Sequence, residues 1–229
     1  MEDMTRKQFL AAAATLPLAG AAVKLKSLNK FIDGLNSSSN MPVLFLGHGS
    51  PMNAIEDNEF VQGFKNIGKE IEKPTAILVI SAHWETRGTY VTAMEMPSTI
   101  HDFGGFPQAL FDVQYPAPGS PELAEAVKEI VVSKDVHLDD KWGLDHGSWS
   151  VVKHLYPNAD VPIIQMSIDY SMTASHHYAL AKELAALRKK GVLIIGSGNN
   201  VHNLRMVSWN HLNTVGYAFD WGQEPNEKM

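Results

Sequence analysis

Ala76-Ile77-Leu78-Val79-Ile80-Ser81-Ala82-His83-Trp84 decides the fold class. Five apolar residues follow one another with no polar residue between them, so a strand here is buried on both faces. A strand with one wet face would alternate instead. Three more runs read the same way: Val43-Leu44-Phe45-Leu46, Val161 to Ile168 with Pro162 at its start, and Val192-Leu193-Ile194-Ile195. Helical stretches lie between them, at Asn58 to Glu70, Pro121 to Val132, Ser148 to Leu155 and Thr173 to Lys190. In the last, Leu180, Leu184 and Leu187 share one face, and Lys189-Lys190-Gly191 supplies cations and then a stop. The pattern predicts a single α/β domain with a largely parallel or mixed central sheet flanked by helices.

Composition narrows the function. The chain has 229 residues, 45% hydrophobic and 19% charged, enough to bury a substantial core. Its formal net charge is −6 and no basic run occurs, which argues against nucleic acid or an anionic membrane as partner. There is no cysteine, so disulfides, thiolate zinc sites and cysteine nucleophiles are excluded. Ten histidines stand against nineteen Lys and Arg, so any metal must be held by imidazole and carboxylate.

The first forty residues read as an export leader and spacer. Arg6 and Lys7 precede an apolar run from Leu10 to Val23, and Ala19-Gly20-Ala21 offers a small-x-small cleavage site. The run is shorter than the roughly twenty apolar residues that span a bilayer, so no stable membrane insertion is expected. Thr5-Arg6-Lys7-Gln8-Phe9-Leu10 resembles a twin-arginine signal with Lys in place of the second Arg, which points to a periplasmic or otherwise exported protein, the cytoplasm being the alternative. Ser37 to Asn40 is a polar spacer, and the folded domain is expected from Met41 onward.

Ligands of open α/β sheets bind at the carboxyl ends of strands. Those ends carry His48, His83 and, after Gly196-Ser197-Gly198, His202. Three imidazoles so placed are a candidate facial metal site with positions left open for substrate. His146, in the Gly-flanked loop Asp145-His146-Gly147-Ser148, either contacts a bound substrate or caps the following helix. His101, Phe103 and Phe106 sit in a loop with aromatic walls that suits a pocket, and Trp84 adds another ring. His176 and His177 read as surface residues, and nothing around His137, His154 or His211 argues for chemistry.

Six motifs then occur in order: Gly47-His48-Gly49-Ser50-Pro51-Met52, Ser81-Ala82-His83-Trp84, Thr99-Ile100-His101-Asp102-Phe103-Gly104-Gly105-Phe106-Pro107, Tyr115-Pro116-Ala117-Pro118-Gly119, Leu144-Asp145-His146-Gly147-Ser148-Trp149 and Gly198-Asn199-Asn200-Val201-His202-Asn203-Leu204. Together they closely resemble the 4,5-DOPA extradiol dioxygenase group of the class III, protocatechuate-type, ring-cleavage dioxygenases. The resemblance implies a non-haem metal at one sheet edge, Fe(II) for turnover, with Zn(II) held by some bacterial members. It implies His48 and His83 as ligands, His202 as a ligand or an acid–base group, and His146 as a substrate contact. The implied partners are a small catechol and O2; many members of the group assemble from several protomers, which leaves a homo-oligomer open. Members usually continue for several tens of residues past the region of Phe219-Asp220-Trp221, whereas this sequence stops at Met229, so the catalytic domain at 41–229 is expected to be shortened at its carboxyl end.

Cleaving a ring beside two hydroxyls needs a metal with three adjacent open positions and a base near neutral pH, and a histidine, His202 or His146, supplies the second. Competing readings are a zinc hydrolase built on the same histidines, a metal-binding relic, and a tetrapyrrole metal chelatase. The last fits Gly47 to Ser50 but neither Ser81 to Trp84 nor the Asp145-His146-Gly147 loop. Ser50 lacks the Gly-x-Ser-x-Gly elbow of a serine nucleophile.

Overall fold

In the computed structural model the described residues are 40–199, 201–211, 214 and 217–227. The expected leader and spacer lie outside them, Asn40 excepted. One sheet of six strands runs through the domain: β1 (Val43–Leu46), β2 (Ala76–Thr86), β3 (Thr89–Thr92), β4 (Val136–Asp139), β5 (Ile163–Asp169) and β6 (Val192–Ser197), in the order β1-β6-β2-β5-β3-β4. β1, β6, β2 and β5 are parallel, with Leu78 opposite Ile194 on one side and Ile164 on the other. β3 meets β5 antiparallel at Val91 and Met166 and pairs parallel with β4, so the sheet is mixed. The helices are α1 (Glu59–Glu70), α2 (Gln108–Phe111), α3 (Pro121–Ile130), α4 (His146–Leu155), α5 (Ala174–Leu184) and α6 (Asp220–Glu227).

The central strands feed two cores because successive side chains point to opposite faces; β1, expected to be buried on both faces, lies at the edge of the sheet and leaves Val43 and Phe45 exposed. Ile77, Val79, Ile163, Leu193 and Ile195 join Phe64 of α1 and Trp149, Val152 and Leu155 of α4 on one face. Ala76, Leu78, Ile164, Met166, Val192 and Ile194 join Leu123 and Val127 of α3 and Leu180 and Leu184 of α5 on the other. Each buried Val, Leu, Ile, Phe or Met among them stabilises the fold by about 1.5–3 kcal/mol relative to exposure. Among the described residues no helix is long and apolar enough to cross a membrane.

Several boundaries differ from the sequence expectation. β2 runs on through His83 to Thr86, because its register against β5 slips between Ile80 and Glu85 and pairing resumes; His83 therefore lies within a strand, not past its end. The Thr173–Lys190 stretch is α-helical only to Leu184 and then tightens to a 3₁₀ helix over Ala185–Lys190, which ends at Gly191 with φ 77°. α3 stops at Ile130, two residues early. α4 starts two residues sooner than expected, so His146 is its first residue rather than part of a loop. β3 and β4 are four residues each, too short and polar to stand out as runs.

Candidate metal centre

Three elements deliver three imidazoles toward the carboxyl ends of β1 and β2. His48 follows β1 by one residue after Gly47; its Nδ1 lies 3.0 Å from Oγ of Ser197, the last residue of β6. His83 sits in β2, where its backbone N–H donates to Ser81 Oγ at 3.2 Å and its Nδ1 lies 3.1 Å from Asp102 Oδ2. His146 opens α4, with its Nδ1 and its backbone N each 2.9 Å from Asp102 Oδ1.

The start of α4 is built for this approach. Asp145 is the N-cap and accepts from Ser148 N at 3.1 Å, satisfying one of the free N–H groups of the first turn. Its carboxylate also accepts from Trp142 Nε1 at 3.3 Å and from Gln165 Nε2, while Gln165 Oε1 accepts from Ser148 Oγ at 2.7 Å. This buried network ties the helix to β5, and every member has a partner, as low dielectric demands. Gly147 is required next: a Cβ there would stand 2.5 Å from Ser81 Oγ and 2.9 Å from His83 Cδ2. Only a glycine lets α4 come this close to β2.

The cluster fits a metal ion. His48, His83 and His146 each offer one nitrogen, all within 4.8 Å of one another. The Nε2 atoms of His48 and His83 are 3.2 Å apart. Two nitrogens at about 2.0–2.1 Å from a shared ion, at octahedral to tetrahedral angles, would stand about 2.8–3.4 Å apart. Each Nδ1 is engaged by a neighbouring oxygen, which leaves Nε2 for an ion, the usual arrangement behind metal-bound histidines.

Electrostatics agree with that chemistry. Burial, and then the charges of His83 and His146, push His48 down to about 4, so it is neutral with a free lone pair at pH 7. Its hydrogen bond to Asp102 raises His83 against the opposing effect of burial. Burial would raise Asp102, but the hydrogen bonds from His146 and His83 outweigh it and hold the carboxyl well below the usual range. The centre thus has an anion behind two imidazoles, and that anion also faces the positive end of α4.

Of the expected site residues, His48 and His83 come together, and the third imidazole of the cluster is His146. His202 is exposed in the segment after β6, outside the cluster but close enough for its charge to lower His48. Phe103 lies edge-on to His146 at 5.4 Å between ring centres and so stands beside the centre, and Phe106 packs behind it against Phe103 at 5.5 Å. Trp84 is buried and stacks on Trp142, 5.5 Å away and nearly parallel. His101 Nε2 donates to the Val113 carbonyl at 2.9 Å and so pins its own loop. His154 and His177 likewise bond the carbonyls of Asn53 and Asp169. His176, read as a surface residue, is half-buried, and its Nε2 has no hydrogen-bond partner. Ser50 caps a 3₁₀ turn over Pro51–Ala54 by accepting from Met52 N. Sequence reading passed over Asp102, Ser197, Asp145 and Gln165. Asp102 stood inside a quoted motif beside His101, but only the fold reveals that it faces two histidines from other elements.

Residues 42–224 match the family described as the catalytic LigB subunit of aromatic ring-opening dioxygenase. Over 178 residues the chain is 56% identical to a protein named 4,5-DOPA dioxygenase extradiol from Escherichia coli (strain K12), covering 77% of this chain and 66% of that one. It is 45% identical over 164 residues to a protein of the same name from Beta vulgaris, covering 69% and 61%. The fold is similar to the crystal structure of an uncharacterized protein from Escherichia coli K12, with a TM-score of 0.68 and 46% identity, covering 82% of this chain and 70% of that one. The chain thus spans just under two thirds of the length of these two named relatives. With its matched residues running through every strand and all three clustered histidines, the chain belongs to the LigB family of aromatic ring-opening dioxygenase catalytic subunits.

Proposed function

We propose that the chain carries out metal-dependent extradiol cleavage of a catechol such as DOPA, placing both atoms of O2 in the product. The observation that carries this reading is the convergence of His48, His83 and His146 with every Nδ1 engaged and the Phe103 ring alongside. His48 and His83 would hold Fe(II), with His146 or His202 completing the set. Bound Fe(II) supplies open coordination positions and one-electron redox capacity, and the latter is what Zn(II) lacks. His146, with Nδ1 on Asp102, presents Nε2 to take a catechol hydroxyl proton, and His202 is the second acid–base candidate. Such a group contributes about 10²–10⁴-fold. Phe103, with Phe106 packed behind it, orients the ring, and its apolar face limits water at the centre.

The test is anaerobic Fe(II) reconstitution followed by DOPA and simpler catechols in air. Oxygen uptake with a yellow ring-opened product, abolished in His48→Ala and His83→Ala, is expected. Stoichiometric metal with no uptake on any catechol would overturn the reading, leaving a zinc hydrolase or a metal-binding relic. His146→Ala and His202→Ala assign the roles: a ligand loses metal, whereas an acid–base group keeps metal and loses rate.

We also propose export, supported by Arg6-Lys7, the apolar run from Leu10 to Val23 and Ala19-Gly20-Ala21. A mature amino terminus near Ala22 in the periplasmic fraction is expected. An intact Met1 or Met4 terminus in the cytoplasm overturns it.

A further inference from the structure

We infer that Asp102 is a positioning residue that sets the tautomer and orientation of His83 and His146 together, so that both Nε2 lone pairs face one point. The inference rests on the metal-site reading above. Each carboxylate oxygen takes a different imidazole: Oδ2 is 3.1 Å from His83 Nδ1 and Oδ1 is 2.9 Å from His146 Nδ1. An ionised carboxylate only accepts hydrogen bonds, so both Nδ1 atoms must carry the proton. A neutral imidazole protonated at Nδ1 has its lone pair at Nε2, the state needed for a metal ligand or a base.

The carboxylate is itself held in place. Its loop is tied to the residues just before α4 by the parallel bridge Thr99–Leu144 and by Ile100 N donating to Leu144 O at 2.7 Å. Trp149 Nε1 of α4 donates to Ile100 O at 2.8 Å, and the neighbouring His101 anchors to the Val113 carbonyl at 2.9 Å. His146 N donates to Asp102 Oδ1, adding a contact from the first turn of α4. One carboxylate therefore couples an imidazole from β2 to one from α4, and the two cannot reorient independently.

Asparagine matches the shape of Asp102 but offers one acceptor oxygen and one donor NH2. The NH2 would force one Nδ1 to accept, moving the proton of that ring to Nε2 and aiming a donor at the metal. Zinc affinity of Asp102→Asn, read by chelator competition at a temperature where the metal-free variant is folded, is expected to fall about 10- to 100-fold. In the parent without metal, at about pH 9 where imidazoles are neutral, ring-nitrogen NMR should place the His146 proton on Nδ1. This second reading needs no variant to fold; a proton on Nε2 overturns the inference. Equal zinc affinity in parent and variant also overturns it, and leaves the ring-cleavage reading standing. Weakened zinc binding in the variant, with no catechol turnover by the iron-loaded parent, supports the inference and removes that reading instead. A parent that takes up no zinc overturns both.

Discussion

Ser197 and His48 share a contact of 3.0 Å whose direction is settled by a third group. The Ser197 hydroxyl donates its one proton to the Gly147 carbonyl, so toward His48 it can only accept. His48 Nδ1 must therefore be the donor, and its Nε2 keeps the lone pair. β6 sets the tautomer of His48 as Asp102 sets those of His83 and His146. Ser197→Ala removes this acceptor and is expected to weaken zinc binding about 10-fold or more. Chelator competition checks it; unchanged affinity would show that the His48 tautomer is set elsewhere.

Gly147 and Gly63 should respond to alanine in opposite directions. At Gly147 the new methyl meets Ser81 Oγ and His83 Cδ2 well inside contact distance, and overpacking of this kind costs about 1–3 kcal/mol. At Gly63, within α1, nothing lies within 4 Å of the added Cβ. Relief of the glycine penalty should stabilise that variant by about 0.5–1 kcal/mol. Urea midpoints of the metal-free proteins give both signs, and a tolerated Gly147→Ala would contradict the packing at the centre.

Stability of the metal-free protein should peak near the ordinary histidine pKa. His48 is lowered from 6.5 to about 4, so the unfolded chain binds more protons in that window and stability falls as pH drops through it. His83 is raised, so its contribution is full below 6.5 and lost as pH climbs through its folded value. Asp102 is lowered from 3.8, so its contribution is lost only in stronger acid. Urea midpoints across this range should fall on both sides of about pH 6.5. A steady rise through neutrality would show that the His83–Asp102 pair does not form.

Phe103 should govern substrate without governing metal. Its ring stands 5.4 Å from His146 and touches no ligand nitrogen by hydrogen bond. Aromatic contacts of this kind are worth about 0.5–1.5 kcal/mol, so Phe103→Ala should raise KM for a catechol by up to about tenfold. Zinc affinity should stay at the parental value. If zinc binding falls as well, the ring serves the centre itself and not the substrate wall.

Unbroken apolar runs at Ala76–Ile80 and Val192–Ile195 made the parallel core readable, because burial on both faces erases polar alternation; Val43–Leu46 reads the same way and does form a strand, but at the sheet's edge, with Val43 and Phe45 exposed. The amphipathic pattern of Leu180, Leu184 and Leu187 did the same for the helix that covers the second face. Residues 89–92 and 136–139 carried no such signal; their strand state comes from pairing with β5 and with each other, which is non-local.

The sequence by itself determined the fold class, the absence of thiolate chemistry, and the position of His48 just past the end of β1, since composition and apolar runs suffice for these. Only the tertiary structure decided that His146 joins His48 and His83, through an α4 that begins at the centre and a Gly147 that permits contact with β2. It alone decided that Asp102 and Ser197 orient the rings. Hydrogen bonds between residues 19 to 149 positions apart depend on how loops, strands and helix ends are packed, and no local pattern in the chain records that.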